Sequence, residues 1–123
     1  MHLAISETAF TPSVKISPEE HRIIITGPSR LEDPSLFYEK LIKVLEENII
    51  NFKSGFSIDF KLNYLNSSSS KWLFHILKNV QNRYGSSKIM TVNWYYDIDD
   101  ENMLEAGEVF QNLLNVPFRI IEA

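Results

Sequence analysis

Residues 56–64 read FSIDFKLNY, in which apolar and polar side chains alternate at every position. Successive side chains of a β-strand point to opposite faces of the sheet, so this period of two predicts a strand with one buried face and one solvent-facing face. A parallel strand covered by helices on both sides would instead be apolar throughout. The stretch therefore predicts a sheet that carries its helices on one face only.

The segments around this strand have the periodicities of further strands and helices. We predict strands at 10–16 and 22–26, a helix at 34–50, the strand at 56–65, a helix at 72–84, a strand at 88–96, a helix opened by residues 99–101, and a strand at 118–122. Asp33 and Pro34 are a typical N-cap and first helical residue, and Gly27-Pro28 is expected to end the second strand. The order β-β-α-β-α-β-α-β predicts a single α/β domain, 1–123, whose sheet is mixed because a hairpin precedes three parallel crossovers.

A hydroxyl-rich segment, NSSSSK at residues 66–71, joins the alternating strand to the second helix. Serine and asparagine are preferred N-cap residues, so one interpretation is that the segment only caps the helix. The free N–H groups and the dipole at a helix start also favour negative charge, so a phosphate on one of these hydroxyls would be well placed. The sequence alone leaves both interpretations open.

The second helix carries an aromatic residue away from its core-facing stripe. At about 100° per residue, Phe74 lies roughly 100° from the centre of that stripe, with Lys71 and Lys78 around it. Ser67 and Ser70 extrapolate to the same side of the helix. This side is either a protein-docking face, whose affinity a phosphate would change, or a place where Phe74 covers the edge of the core and the lysines face solvent.

Composition restricts the classes of partner. A net charge of −4 and a pI of about 5.3 argue against a nucleic-acid or anionic-membrane surface, which would need clustered Lys and Arg. The chain has no cysteine, which excludes disulfides, a thiolate nucleophile and Cys-ligated zinc. No segment approaches the ~20 apolar residues of a membrane span, and the N-terminus lacks the features of a signal peptide. We therefore expect a cytoplasmic protein with protein or small-molecule partners.

Two enzymatic or metal-dependent alternatives have weak support in the sequence. There is no Gly-x-Ser-x-Gly element, and His75 is eight residues from Ser67, about 12 Å along a helix, which is too far for a catalytic pair. Carboxylates cluster at Asp97, Asp99, Asp100 and Glu101, which suits a divalent cation but equally suits the start of a helix. We expect no catalytic residue, cofactor or metal ion, and keep a ligand- or metal-binding domain that uses residues 97–101 as the alternative.

Several motifs together carry a resemblance to a known family. They are TxxTPxV at 8–14, YxNSSSSK at 64–71, VNWYYDxDD at 92–100, MLExGE at 103–108 and PF at 117–118. With these motifs the chain resembles the SiaC family of small bacterial signalling proteins over nearly its whole length. The family is similar in fold to STAS domains, the class of anti-sigma-factor antagonists, which implies a mixed sheet with helices on one face.

The resemblance implies a non-enzymatic switch protein. A partner Ser/Thr kinase would phosphorylate a hydroxyl at the start of the second helix, and a PP2C-type phosphatase would remove the phosphate. The unmodified form would bind and activate a diguanylate cyclase, linking the switch to cyclic-di-GMP and biofilm control. The family usually has Thr where this chain has Ser67, so Ser67 is the expected acceptor and Ser68 the second candidate.

The same resemblance, combined with the helix geometry, gives the expected partner-binding residues. These are Asn66, Ser67, Ser70, Lys71, Phe74 and Lys78. A different output, such as that of an anti-sigma-factor antagonist acting on another partner, is the remaining alternative within the same fold.

Overall fold

The computed structural model describes residues 1–123 and consists of six strands and three helices. The strands are β1 (His2–Ile5), β2 (Ser13–Ser17), β3 (Arg22–Ser29), β4 (Gly55–Leu65), β5 (Ile89–Tyr96) and β6 (Phe118–Glu122). The helices are α1 (Ser35–Ile49), α2 (Ser67–Tyr84) and α3 (Glu101–Leu113). No helix combines the length and the apolar character needed to cross a bilayer.

The strands form one mixed sheet in the order in which they occur in the chain. β1, β2 and β3 pair antiparallel, whereas β3, β4, β5 and β6 pair parallel. Each parallel strand lies on the same side of its predecessor, so right-handed crossovers place all three helices on one face. The predicted α/β class, with a mixed sheet and helices on one face, is confirmed.

Trp94 of β5 lies at the centre of the core beneath the helices and is fully buried. Its ring packs on Phe60 and Phe110, with centroids 5.3 Å away in each case, and on Phe118 at 6.2 Å. The indole Nε1 donates a hydrogen bond to the Met103 carbonyl at 2.9 Å. One aromatic side chain thus joins β4, α3 and β6.

Gly107 of α3 permits this close approach of helix and sheet. A Cβ atom at this position would lie 2.6 Å from Trp94 Cδ1 and 2.8 Å from Nε1. Because the indole is buried on all sides, it has no room to move away. A residue without a side chain is therefore required where α3 crosses Trp94.

The first strand, β1, was absent from the predicted order. It pairs with β2 through Leu3 and Lys15, with a register shift before Ile5. The strand is four residues long and only Ile5 is buried, so its sequence has too few positions to show an alternation. It adds an edge strand to the predicted hairpin, so the observed order starts with three strands.

The prediction that Gly27-Pro28 ends the second strand is wrong. β3 continues to Ser29, and its register against β4 shifts so that Gly27 pairs with Leu62 while Pro28 pairs with Tyr64. Gly27 has a φ of 118°, which a residue without a side chain adopts freely. This irregularity skips one residue of β4 and interrupts the alternation, so Tyr64 is 46% exposed rather than buried with Leu62.

Candidate functional site

The candidate site lies at the edge of the sheet where the parallel strands end. β3, β4 and β5 run in the same direction and each is followed by a helix, so the starts of α1, α2 and α3 lie along this edge. Free backbone N–H groups of helix first turns collect here, together with their positive dipole ends. The hydroxyl-rich segment occupies the central one of these three helix starts.

Asn66, rather than a serine, caps α2. Its side-chain Oδ1 accepts a hydrogen bond from the Ser69 backbone N–H at 2.9 Å, and its Nδ2 donates to the Leu31 carbonyl, also at 2.9 Å. The helix therefore begins at Ser67, not at Trp72 as the apolar pattern predicted. The apolar pattern begins late because the first turn consists of four serines, whose hydropathy carries no helical signal.

The four serines differ in exposure because successive residues of the first helical turn point in different directions. Ser67 and Ser68 are exposed, Ser70 is intermediate, and Ser69 is fully buried. Ser69 faces the core because it is four residues before the buried Leu73. Only Ser67 and Ser68 therefore offer a freely accessible hydroxyl.

Behind the first turn lies a group of buried hydroxyls that the sequence did not reveal. The Tyr38 hydroxyl, from α1, shares a hydrogen bond of 2.8 Å with Ser29 Oγ at the end of β3. Ser69 Oγ lies beside Tyr38 but makes no hydrogen bond of acceptable geometry. Burial raises the pKa of the Tyr38 phenol, and the neighbouring hydroxyls of Ser29 and Ser69 oppose this shift. The phenol therefore remains neutral and ties α1 to the sheet beneath α2.

Ser67 lines a hollow of about 380 Å³ between α2 and α3. The other walls are the end of β4 and the first turns of α3, comprising Asn63, Tyr64, Leu65, Asn66, Asp100, Asn102, Met103 and Ala106. The Arg30 guanidinium lies 4.7 Å from the centre of the Tyr64 ring. The Asp100 carboxylate accepts a hydrogen bond from the Met103 N–H at 3.0 Å and so caps α3. Ser67 thus faces the neighbouring helix start.

Ser68 lines a different hollow, on the α1 side of α2. Its walls are Pro34, Lys71, Trp72 and His75. The Trp72 ring stacks on the ring of Tyr38 with centroids 6.3 Å apart. The two exposed hydroxyls, which are adjacent in the chain, therefore face different surroundings.

The predicted stripe on α2 is present, with one modification. Ser67, Lys71, Phe74 and Lys78 lie within about 60° of one another around the helix axis at 100° per residue. Phe74 is half-buried because its ring packs on Phe110 of α3, with centroids 5.9 Å apart. The ring therefore covers the edge of the core, as one interpretation expected, and keeps an accessible side, while the interpretation as a docking face stays a prediction.

The expected partner-binding residues differ in how available they are. The side chain of Asn66 is engaged inside the fold through Ser69 and Leu31. Ser67 and Lys71 are exposed, whereas Ser70, Phe74 and Lys78 are each partly covered. The accessible stripe on α2 therefore consists of Ser67 and Lys71 together with the uncovered sides of Ser70, Phe74 and Lys78.

The acidic segment at residues 97–101 contributes to the start of α3. Asp100 caps this helix and Glu101 lies in its first turn. No group of three or more His, Cys, Asp or Glu side chains is arranged to hold a metal ion. Two of the four carboxylates therefore have the role expected at a helix start.

The sequence analysis missed Arg30, Tyr38, Tyr64 and Asp100 as neighbours of the serine segment. Tyr64 and Asp100 could have been predicted, because parallel strands bring the ends of β4 and β5 to the same edge of the sheet. The contacts of Tyr38 and Arg30 depend on side-chain packing between distant segments, which no local pattern encodes.

Comparison with known proteins gives a consistent result. The model of a family described as SiaC family regulatory phosphoprotein matches residues 5–123. A protein of Pseudomonas aeruginosa strain UCBPP-PA14 is 26% identical over 118 residues, which cover 96% of this chain and 94% of that protein.

Solved structures from the same species share the fold. SiaC of P. aeruginosa has 24% identity and a TM-score of 0.84, with complete coverage of both chains. The crystal structure of diguanylate cyclase SiaD in complex with its activator SiaC, also from P. aeruginosa, matches with 25% identity and a TM-score of 0.82, covering 95% of this chain and 96% of that one. Apo-SiaC matches with 25% identity and a TM-score of 0.82 over 98% of this chain and 99% of that one.

Proposed function

Because the chain belongs to the SiaC family of regulatory phosphoproteins, we propose that it is a phosphoregulated binding protein whose switch is the Ser67 hydroxyl. The observation that carries this proposal is the position of Ser67. It is exposed in the first turn of α2 and is the N-terminal residue of the accessible stripe, which also contains Lys71, Phe74 and Lys78. A phosphate there would alter the charge of that stripe without entering the core.

The surroundings of the two exposed serines favour Ser67 over Ser68. Ser68 lies about 100° further around the helix and faces Trp72 and His75 on the α1 side, and Lys71 lies between the two serines and lines the Ser68 hollow as well. A phosphate on Ser68 would therefore project away from Phe74 and Lys78. Modification of Ser67 places the charge on the surface that offers an aromatic anchor for a partner.

The proposed mechanism is that the phosphate blocks the interface and leaves the fold intact. A phosphoserine adds about −1.5 to −2 charge at neutral pH. At the first position of α2 this negative charge interacts favourably with the helix dipole. Lys71, four residues later and one helical turn away, can form an ion pair with the phosphate. Asp100 on the opposite wall of the hollow repels it, so the phosphate is directed outward, where a docked partner would meet it.

The relatives supply the class of partner. SiaC of P. aeruginosa is the activator in the complex with diguanylate cyclase SiaD. We infer that this chain likewise binds and activates a diguanylate cyclase when Ser67 is unmodified. A Ser/Thr kinase and a PP2C-type phosphatase would set the modified fraction. In this proposal the chain acts as a binding regulator and not as an enzyme, which its membership of a family of regulatory phosphoproteins supports.

The test uses matched alanine variants of the two exposed serines. The cognate Ser/Thr kinase of the same genome should incorporate phosphate into the unmodified chain and into Ser68→Ala but not into Ser67→Ala, as read by intact-protein mass spectrometry. Ser67→Asp should weaken binding to the cognate cyclase by about tenfold in calorimetric titration, which corresponds to about 1.4 kcal/mol. Ser68→Asp is the matched control and should bind within about twofold of the parent chain.

Retained phosphorylation of Ser67→Ala, with loss in Ser68→Ala, would move the switch to the α1 side of the helix. Equal binding by Ser67→Asp and the parent chain would contradict the blocking mechanism.

A further inference from the structure

The face of the sheet that carries no helices has an unusual balance of charge. Lys15, Arg22, Lys61 and Arg119 point to this open face, where Asp59 is the only carboxylate of the strands. The strand residues of the open face therefore carry a net charge of +3, from four cations and one anion. Two carboxylates from the adjoining loops lie beside them: Glu20 Oε2 is 3.7 Å from Arg22 Nη1, and Asp97 lines the hollow that also contains Lys61 and Tyr95. The rest of the chain has eight cations and fifteen carboxylates, a net charge of −7.

One registered row of residues crosses the open face of the sheet. Lys15 of β2 is opposite Ile24, which is opposite Asp59, then Asn93, then Arg119 of β6, and Leu3 of the edge strand β1 continues the row beyond Lys15. Strands are about 4.8 Å apart, so Lys15 and Arg119 lie about 19 Å apart along this row. The row therefore has a cation on each side of a polar centre.

A buried carboxylate organises the centre of this row. Asp59 is only 2% exposed, although no helix covers this side of the sheet. Its Oδ1 accepts a hydrogen bond from Asn93 Nδ2 at 2.8 Å, and its Oδ2 lies 3.6 Å from Arg22 Nε. Asn93 Oδ1 in turn accepts a hydrogen bond from Arg119 Nε at 2.9 Å. A single acidic side chain thus connects two guanidinium groups.

This network orients Arg119 and leaves its outer nitrogen atoms free, whereas Arg22 is also paired with Glu20, at 3.7 Å. Arg119 uses Nε for Asn93, while its Nη1 and Nη2 atoms make no hydrogen bond or ion pair. The two Nη groups form the outer edge of the guanidinium and can donate two parallel hydrogen bonds to one carboxylate. A buried ionic network is weak evidence for stability, whereas it does set the orientation of the groups that it holds.

An aromatic side chain lies next to the row. Lys61 Nζ is 5.0 Å from the centre of the Tyr95 ring, and Tyr95 follows Asn93 on the same face of β5. Tyrosine and arginine are the residue types that contribute most to protein interfaces. The open face therefore combines oriented cations with an aromatic contact surface.

We propose that the open face of the sheet is a second binding surface, and that its partner is a carboxylate-rich segment of another protein. The Arg119 fork, Lys61 and Lys15 would receive the carboxylates, and Tyr95 would provide the apolar contact. Nucleic acid and anionic membranes fit less well, because they extend beyond the open face and would meet the surrounding −7 charge. The surface lies on the side of the sheet opposite α2, so it is independent of Ser67.

The experiment titrates the ¹⁵N-labelled full chain with a synthetic peptide of alternating glutamate and threonine at physiological salt. We expect saturable shifts of backbone amides around Lys61, Asn93, Tyr95 and Arg119, and none along α2. The same peptide with glutamine in place of glutamate should cause no shifts. The double variant Lys61→Gln and Arg119→Gln should weaken binding about fivefold, as expected for the loss of two exposed charge pairs.

A matched control variant removes two positive charges from the helix-covered side of the molecule. Lys40→Gln with Lys43→Gln neutralises two exposed lysines of α1 and should leave the affinity within about twofold of the parent chain. If Arg119→Gln impairs folding, the double variant Lys15→Gln and Lys61→Gln, which alters only exposed lysines, takes its place.

Several outcomes would overturn the proposal. The first is either the absence of saturable shifts in the titration or equal weakening of binding by the α1 control variant. The second is tighter binding of an oligothymidylate of equal charge, which would make the surface a phosphate site. The third is concentration-dependent self-association that the open-face variants abolish, since the partner would then be a second copy of this chain.

Discussion

Asn66 makes four hydrogen bonds that together fix the start of α2, one of them from the Ser70 N–H to its carbonyl. Besides its side-chain bonds to the Ser69 N–H and the Leu31 carbonyl, its backbone N–H donates to the Ser29 carbonyl at 3.1 Å. Asn66→Ala removes the cap and the bond to Leu31, and should lower the free energy of unfolding by about 1–2 kcal/mol. Urea denaturation measures this change.

The matched control for that variant is Asn82→Ala, an exposed position late in the same helix with no side-chain hydrogen bond, which should change stability by less than about 0.5 kcal/mol. Equal effects of the two substitutions would show that the cap contributes nothing.

Tyr38 is expected to make the free energy of unfolding fall as the pH rises into the alkaline range. Burial raises the pKa of its phenol above that of an unfolded-chain tyrosine, about 10. Above about pH 10 the unfolded chain therefore loses a proton that the folded chain retains, so the contribution of Tyr38 to stability is complete below that pH and falls as the pH rises.

Tyr38→Phe tests this linkage. Near neutral pH the variant should be less stable by about 1–3 kcal/mol, because Ser29 Oγ loses its buried partner. Phenylalanine does not titrate, so the difference between the two proteins should narrow as the pH rises above about 10. Denaturation curves recorded from neutral to alkaline pH would show it, and a constant difference would contradict the predicted pKa shift.

At the scale of elements, the contact between α3 and β5 depends on the absence of a side chain at Gly107. Gly107→Ala gains about 1 kcal/mol of helix propensity but forces a methyl group against the Trp94 indole, at a cost of about 1–3 kcal/mol. We expect a net loss of stability of up to about 2 kcal/mol and a changed tryptophan emission spectrum. Glu105→Ala, exposed on the same helix, should stay within about 0.5 kcal/mol of the parent chain.

The elements differ in how far the sequence predicts them. β4 and β5 were predicted within one residue at each end, because apolar and polar residues alternate over residues 56–64 of β4 and 90–95 of β5. α3 was predicted well because Asp100 caps it and Pro117 follows it. β1 and the end of β3 were missed, because one is too short for a pattern and the other passes through a residue pair that usually ends strands.

At the scale of the whole molecule, the proposed switch requires that charge at Ser67 leaves the fold unchanged. An aspartate at the first position of α2 interacts favourably with the helix dipole, while Asp100 across the hollow opposes it. Ser67→Asp should therefore shift the melting temperature by no more than about 3 °C. Calorimetry and the amide NMR spectrum measure this, and widespread shifts outside the starts of α2 and α3 would indicate refolding.

The sequence predicted which residues of the candidate site lie on the surface of α2, but it did not predict the contacts beneath them. Alternation in β4 gave the single helical layer, and helical periodicity placed Lys71, Phe74 and Lys78 on one side. The burial of Ser69 follows from the same periodicity once Asn66 is known to be the cap. The hollow shared with Asp100 and the Tyr38–Ser29 bond connect segments far apart in the chain, and they depend on three-dimensional packing.

The two tryptophans of the chain lie in contrasting places, and this gives the molecule its own pair of optical probes. Trp94 is sealed within the core, so its emission changes only when water reaches the centre of the fold. Trp72 is half-buried and forms a wall of the Ser68 hollow, on the far side of α2 from the Ser67 hollow. A change in Trp72 fluorescence without a change in Trp94 fluorescence therefore reports an event on the α1 side of α2. Phosphorylation of Ser68 should change Trp72 fluorescence, whereas phosphorylation of Ser67 should leave it unchanged, so the intrinsic fluorescence distinguishes the two sites.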